Sequence, residues 1–399
     1  MNTWLGRPGL LCALGTGAEA VRAALFAGDT RGMQAQEGWL SERALMVGAV
    51  DTGLPPLPAG TPVHHESRNN RLLQAAALQI GDQIEHVRER YGAHRIAIVL
   101  GTSTSGVNDN TAAFVHREKT GDWPADYDYR RQSLYAPSSF LAQRLALCGP
   151  AYTLSTACTS SARALLSARR MLKLGVCDAV ICGGADTLCR LTINGFHSLQ
   201  ALAPGRCNPF SARRDGINIG EAAALFVMTR EAPDGAGIAL LGAGASSDAW
   251  HMSAPDPTGA GALAAMRAAL HDAGRTPADI GWLNLHGTAT IHNDAMESLA
   301  VAACFPDGVP CASTKPLTGH TLGAAGALEA ALCWIALAAP AGTDILPPHV
   351  WDGYADPALP ALDFSGTGQC WPAGRPRLAM SNSFAFGGNN ACLVLGAGA

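Results

Sequence analysis

Cys158 stands in Ser155-Thr156-Ala157-Cys158-Thr159-Ser160-Ser161-Ala162, directly ahead of a stretch rich in Ala, Leu, Arg and Lys. Ala162, Leu165, Leu166 and Leu172 share one side of that stretch and Gly175 follows it, so the spacing predicts a helix over 159–174 with the cysteine at its start. Unsatisfied amides at a helix start carry partial positive charge, which favours thiolate over thiol and therefore a nucleophile. Taken alone, the segment fits a structural cysteine at a strand end at least as well.

Two histidines occupy comparable turns. His286 follows the apolar run 282–285 and opens His286-Gly287-Thr288-Ala289-Thr290, a tight polar loop that can put an imidazole into a cleft. A lone histidine there is more often structural. His320 lies in 313–326, where Pro316 and Gly319 favour a turn and the small residues from Gly323 to Gly326 permit close helix packing. Lys315, five residues earlier, reads by itself as a solvated cation. Further on, Phe384 and Phe386 precede Gly387-Gly388, a pair that lets backbone amides approach a ligand but is equally an ordinary turn between strands.

The elements that must position these residues alternate. Runs 96–100, 152–155, 176–182, 238–241 and 282–285 read as strands, the third ending at Gly183-Gly184; 262–273 and 323–338 read as helices. Alternation in both halves predicts an α/β layered fold with buried, mainly parallel sheets. Arg7-Pro8 interrupts the expected first strand. The turn-rich stretch 230–237, with Pro233, Asp234 and Gly235, divides a half at 1–232 carrying the cysteine from a half at 233–399 carrying both histidines.

Composition excludes several classes. A chain of 399 residues, 48% hydrophobic and 15% charged, is globular, and a formal net charge of -4 leaves no global basic field for nucleic acid. The apolar run 10–14 is too short for a signal peptide, and no run of about 18 apolar residues would span a bilayer, so a cytoplasmic location is expected. Twelve cysteines without a C-x-x-C pair read as small buried side chains in a reducing compartment, with no metal expected.

Taken together and in this order, the Cys158, His286, His320 and Phe-Gly-Gly segments resemble the elongating β-ketoacyl-acyl-carrier-protein synthases, condensing enzymes of the thiolase-like superfamily. Arg214-Asp215-Gly216, Gly220-Glu221, Ser247 to Met252 and Asn293-Asp294 support the likeness, which covers essentially the whole chain. The resemblance implies a thiolase-like fold of duplicated βαβαβ halves in an α-β-α-β-α arrangement. It implies an acyltransferase, a 3-oxoacyl-[acyl-carrier-protein] synthase, performing decarboxylative Claisen condensation of malonyl-carrier with an acyl chain held on Cys158.

By the same resemblance His286 and His320 stabilise the enolate, and Lys315 and Glu297 form an ion pair that orders the loops, with Asp294 in support. Thr288 and Thr290 hydrogen-bond the pantetheine arm, and Thr104 and Phe384 contact substrate. Phe386 gates the site, and its amide joins that of Cys158 as an oxyanion donor. Arg68 and Arg71 match basic positions that meet the acidic acyl carrier protein, although a solvated helix face explains them equally. No cofactor is implied beyond the phosphopantetheine of the carrier. The implied assembly is a homodimer or a heterodimer with a related ketosynthase-like subunit. Ala289, Ala385 and Asn389 depart from the family pattern and point away from primary fatty-acid synthesis, toward polyketide-like or aryl-polyene assembly. The rival role is that of a chain-length-determining partner subunit, which typically lacks the cysteine.

Overall fold

The computed structural model describes residues 2–232, 237–339 and 344–397. Residues 233–236 of the expected junction lie outside the described residues. In the first half the main strands of the large sheet are β1 (Thr3–Leu5), β2 (Gly9–Cys12), β3 (Ile96–Gly101), β4 (Ala151–Leu154), β5 (Ala179–Asp186) and β6 (Ala222–Thr229), with two-residue strands at Gly15–Thr16 and, in the second half, Asp363–Phe364 completing it. In the second they are β7 (Ile238–Ser247), β8 (Trp282–Asn284), β9 (Pro310–Ala312), β10 (Leu378–Ala385) and β11 (Asn389–Ala397).

The two halves repeat one topology. The first runs β4-β3-β5-β6-β2 and the second β9-β8-β10-β11-β7; in each, the outer three strands are parallel and the inner pairings antiparallel. β1 pairs with both β6 and β7 and so joins the halves into one 13-stranded sheet. The expected mainly parallel sheets are therefore mixed. Parallel neighbours need helical crossovers, whereas β10 and β11 are joined by the short Phe-Gly-Gly turn and must run antiparallel. Arg7-Pro8 does split the first strand, yet β1 and β2 both pair with β6, bridged by the Gly6 amide donating to the Val227 carbonyl.

The helices that cover the sheet include α1 (Arg68–Gln79), α2 (Ala136–Arg144), α3 (Ser160–Lys173), α4 (Ala260–Ala273), α5 (Ile291–Cys304) and α6 (Ala325–Leu337). α1 and α2 cover the outer face of the first half, and α4, with α5 against it, covers that of the second. α3 and α6 touch strands of both halves and form the middle layer. Their contact is close because side chains are small: a Cβ on Gly326 would lie 2.6 Å from that of Ala162, and the Ala327 amide donates to Ser161 Oγ. This packing sets the starts of α3 and α6 side by side, and so places Cys158 against His320. No helix among the described residues is long and apolar enough to cross a membrane.

Two glycine signals mean close approach and not chain reversal. β5 continues through Gly183 and Gly184 to Asp186, and β7 continues past Gly242 to Ser247. A Cβ on Gly183 would sit 2.0 Å from the Ala224 carbonyl oxygen at φ 146°, and one on Gly242 would sit 2.3 Å from that of Ala269. Gly183→Ala is expected to destabilise the fold by about 3 kcal/mol through overpacking and backbone strain. A thermal melt equal to that of wild type would contradict this reading of the strand.

Candidate active site

Cys158 is held by a strained turn. β4 ends at Leu154, and Ala157 then adopts φ 51°, left-handed for a residue with a Cβ. The turn is pinned from several sides: Thr159 Oγ1 donates to the Thr156 carbonyl (2.8 Å), Ser160 Oγ accepts from the Thr156 amide (2.9 Å) and Ser103 Oγ donates to the Ala157 carbonyl (3.2 Å). Cys158 thus precedes the first helical residue by two positions, only 7% exposed. Burial pushes its thiol up to about 12, with the Lys315 ammonium pulling the other way. Burial thus opposes the expected thiolate, and the sulfur must surrender a proton as it attacks.

A proton acceptor is in contact. His320 Nε2 lies 3.0 Å from Cys158 Sγ, across 162 residues of sequence. The ring of His286 stands edge-on to that of His320, centroids 5.2 Å apart. Burial first, and then the Lys315 charge, hold both imidazoles well below the usual histidine range, so both are neutral at pH 7. Lys315 Nζ approaches His286 Nδ1 at 3.5 Å and also donates to the His286 carbonyl. An ammonium can only donate, so Nδ1 accepts and Nε2 of His286 carries the ring proton.

Cys158, His286 and His320 line one cavity of about 390 Å³ together with Thr288, Thr290, Phe384 and Phe386. Phe196, Leu199, Ala201 and Ile217 add an apolar wall. The Thr288 and Thr290 hydroxyls are 2.9 Å apart, and the half-exposed Phe386 packs on Phe196. Gly387 and Gly388 have φ of 79° and 75°, and a Cβ on Gly388 would meet that of Asp248 at 2.8 Å, so the Phe-Gly-Gly turn needs its second glycine. Ala385 is extended, φ −135°, where a methyl group is tolerated. Among the described residues no group of three His, Cys, Asp or Glu could hold a metal ion.

Two expectations are corrected. Lys315 pairs with Glu329 Oε1 at 2.6 Å and not with Glu297. Glu297 lies behind the histidine loop, accepting from the amides of His286 (2.8 Å) and Gly287 (2.7 Å) and from Asn382 Nδ2 (3.1 Å). Burial raises its carboxyl to about 7 against those donors. Thr104 is not in the cavity wall: its hydroxyl donates to buried Asp186, which also accepts from the Thr102 hydroxyl and the Ser103 and Gly323 amides. The Arg68 guanidinium pairs with buried Glu221 and the Val50 carbonyl while its side chain stays 42% exposed, and Arg71 is half-exposed, 3.6 Å from Glu66.

Asp294 buttresses the same loop, taking the Phe210 amide at 2.7 Å and the Ala289 amide at 3.2 Å, its carboxyl raised to about 6 by burial. Ala289, one of the departures, sits at φ 66°. Glu329, Asp186 and Asn382 were not singled out from sequence. For Glu329 a signal existed, since it is the one charged residue in the otherwise apolar helix α6.

Comparison with known proteins agrees with this geometry. Residues 71–233 match the family model described as beta-ketoacyl synthase, N-terminal domain, and residues 238–350 match its C-terminal domain. Nodulation protein E of Rhizobium meliloti is 34% identical over 311 residues, 76% of this chain and 75% of that protein. The 3-oxoacyl-[acyl-carrier-protein] synthase 2 of Rhizobium meliloti (strain 1021) is 36% identical over 267 residues, 62% of this chain and 61% of that one. Among solved structures, the ketosynthase (ApeO) in complex with its chain length factor (ApeC) from Xenorhabdus doucetiae superposes with a TM-score of 0.92 at 48% identity, covering 100% of this chain and 98% of that one. With a cysteine, two neutral imidazoles and a Phe-Gly-Gly turn on one cavity of a duplicated fold, the chain belongs to the beta-ketoacyl synthase family.

Proposed function

We propose that the chain is the cysteine-bearing member of a ketosynthase pair, extending an acyl chain delivered on acyl carrier protein by decarboxylative Claisen condensation. The observation that carries this reading is the contact of Cys158 Sγ with His320 Nε2 beside a second neutral imidazole. The partner is a related ketosynthase-like subunit or a second copy. Two structural neighbours are ketosynthases with a chain length factor, which favours the former. The half at 1–232 supplies the nucleophile and the half at 233–399 both histidines. The location is cytoplasmic, the pathway polyketide-like or aryl-polyene assembly, and the only prosthetic group the phosphopantetheine of the carrier.

In acyl transfer, Sγ attacks the thioester carbonyl while its proton passes to His320 Nε2. The amides of Cys158 and Phe386 stabilise the oxyanion, each by roughly 3 kcal/mol. Collapse expels the pantetheine thiolate, which takes a proton from solvent, and His320 keeps the proton on Nε2. In the second half-reaction the malonyl carboxylate leaves as CO2, and its bonding pair forms an enolate whose oxygen accepts from His286 Nε2–H and from His320. The enolate carbon then attacks the acyl-Cys158 carbonyl and expels the sulfur, which recovers its proton from His320 Nε2.

Intact-protein mass spectrometry after incubation with a panel of acyl-carriers should show one acyl group added, its mass naming the preferred chain. If no carrier acylates the chain while a cysteine-bearing partner in the same mixture is acylated, the chain-length role is the correct one. His286→Ala should cut malonyl-carrier decarboxylation roughly 10²–10³-fold and spare Cys158 acylation. His320→Ala should impair both, because only His320 touches the sulfur.

A further inference from the structure

We propose that His349, which does not line the cavity, is a positioning residue for decarboxylation, clamping the loop that follows His286 from two sides. The inference rests on His286 acting as an enolate donor. His349 is 7% exposed; its Nδ1 accepts the Ser313 amide at 3.1 Å, so its Nε2 bears the proton and donates to the Pro209 carbonyl at 3.2 Å. The ring stacks on Phe364, centroids 4.3 Å apart and planes at 15°, with Trp351 tilted against it. Both nitrogens and one face are thus fixed.

Each of its hydrogen-bond partners leads to the histidine loop. Ser313 Oγ donates to the Gly287 carbonyl at 2.7 Å. The residue after Pro209 is Phe210, whose amide donates to Asp294, the carboxylate that also holds the Ala289 amide. Gly287, at φ 38°, is wedged between the two arms: a Cβ there would fall 2.6 Å from Ser313 Cβ and 3.0 Å from the Phe210 ring. A shift of His349 would release Ser313 and Phe210 together, and His286 is the residue before the one they grip. Burial holds the His349 imidazole down to about 4, so it keeps one acceptor and one donor across the neutral range.

His349→Phe preserves a ring on Phe364 and deletes both hydrogen bonds. With malonyl-carrier, its kcat for decarboxylation should fall roughly 10- to 100-fold, the scale of a small misplacement of a reacting group, while KM and single-turnover acylation of Cys158 stay within about twofold. His349→Asn keeps an acceptor toward Ser313 and should recover most of the rate; His349→Gln, which keeps only a donor toward Pro209, should not. If the Phe variant does not fold, His349→Gln decides. Wild-type decarboxylation by His349→Gln, or equal loss of acylation and decarboxylation, overturns the inference. His286→Ala run in parallel separates the two claims: if it decarboxylates normally, the enolate-donor reading fails and the inference with it, whereas its failure beside a fully active His349→Phe removes the inference alone.

Discussion

Cys158→Ala is expected to lower condensation at least about 10⁴-fold, since removal of a covalent nucleophile leaves only binding and oxyanion stabilisation. Among the cysteines, Cys158 alone lines the cavity. A thioester entering that cavity meets no other thiol, and only Cys158 has His320 Nε2 beside its sulfur, so no other cysteine offers a substitute nucleophile. The fold should survive, because deleting one sulfur costs on the order of 1 kcal/mol. Malonyl decarboxylation should persist, since His286, Lys315 and Glu297 are untouched. The variant would give no acyl adduct by mass spectrometry yet still release CO2 from malonyl-carrier. Condensation at the wild-type rate would end the case for a Cys158-bound intermediate.

The reacting groups were legible because each sits where a strand stops and a polar turn begins, at Leu154, Asn284 and Ala312. Their meeting was not legible from spacing. It depends on α3 lying against α6, which the small residues Ala162 and Gly326 permit without announcing. Glycine misled in the opposite direction. Gly183 and Gly242 look like strand ends, but each lies inside a strand where a neighbouring carbonyl leaves no room for a Cβ. The ionic partners were hardest to read, because charge alone does not tell which carboxylate shares a buried site. The resemblance pairs Lys315 with Glu297 on α5, and only the packing of α6 against the catalytic layer selects Glu329 in its place. Arg68 likewise reads as a surface charge on an amphipathic helix until Glu221 is found beneath it.

Lys315→Met should be destabilising as well as inactivating. The Lys315 and Glu329 side chains are 2% and 4% exposed, so removing the ammonium strands a buried carboxylate, a loss of about 3–5 kcal/mol while that carboxylate stays charged. Burial already raises Glu329, and Lys315 is the group that opposes the rise. Without it the folded-state value climbs further above the unfolded one. A raised carboxylate contributes stability that is intact at low pH and lost as pH rises from its ordinary range toward the folded value, so the gap in Tm between variant and wild type should be small near pH 5 and wide near pH 8. Replacing both partners, Lys315→Met with Glu329→Leu, removes the stranded charge and should recover most of the stability, a coupling readable in a double-mutant cycle. Activity should not return with it. Nδ1 of His286 would have lost the donor that fixes the ring proton on Nε2, leaving the imidazole free to present a lone pair to the enolate oxygen. Thermal melts at the two pH values, alongside malonyl-carrier decarboxylation by the double variant, separate these effects. A double variant that regains wild-type decarboxylation would show that Lys315 serves the fold alone and that the His286 tautomer is set elsewhere.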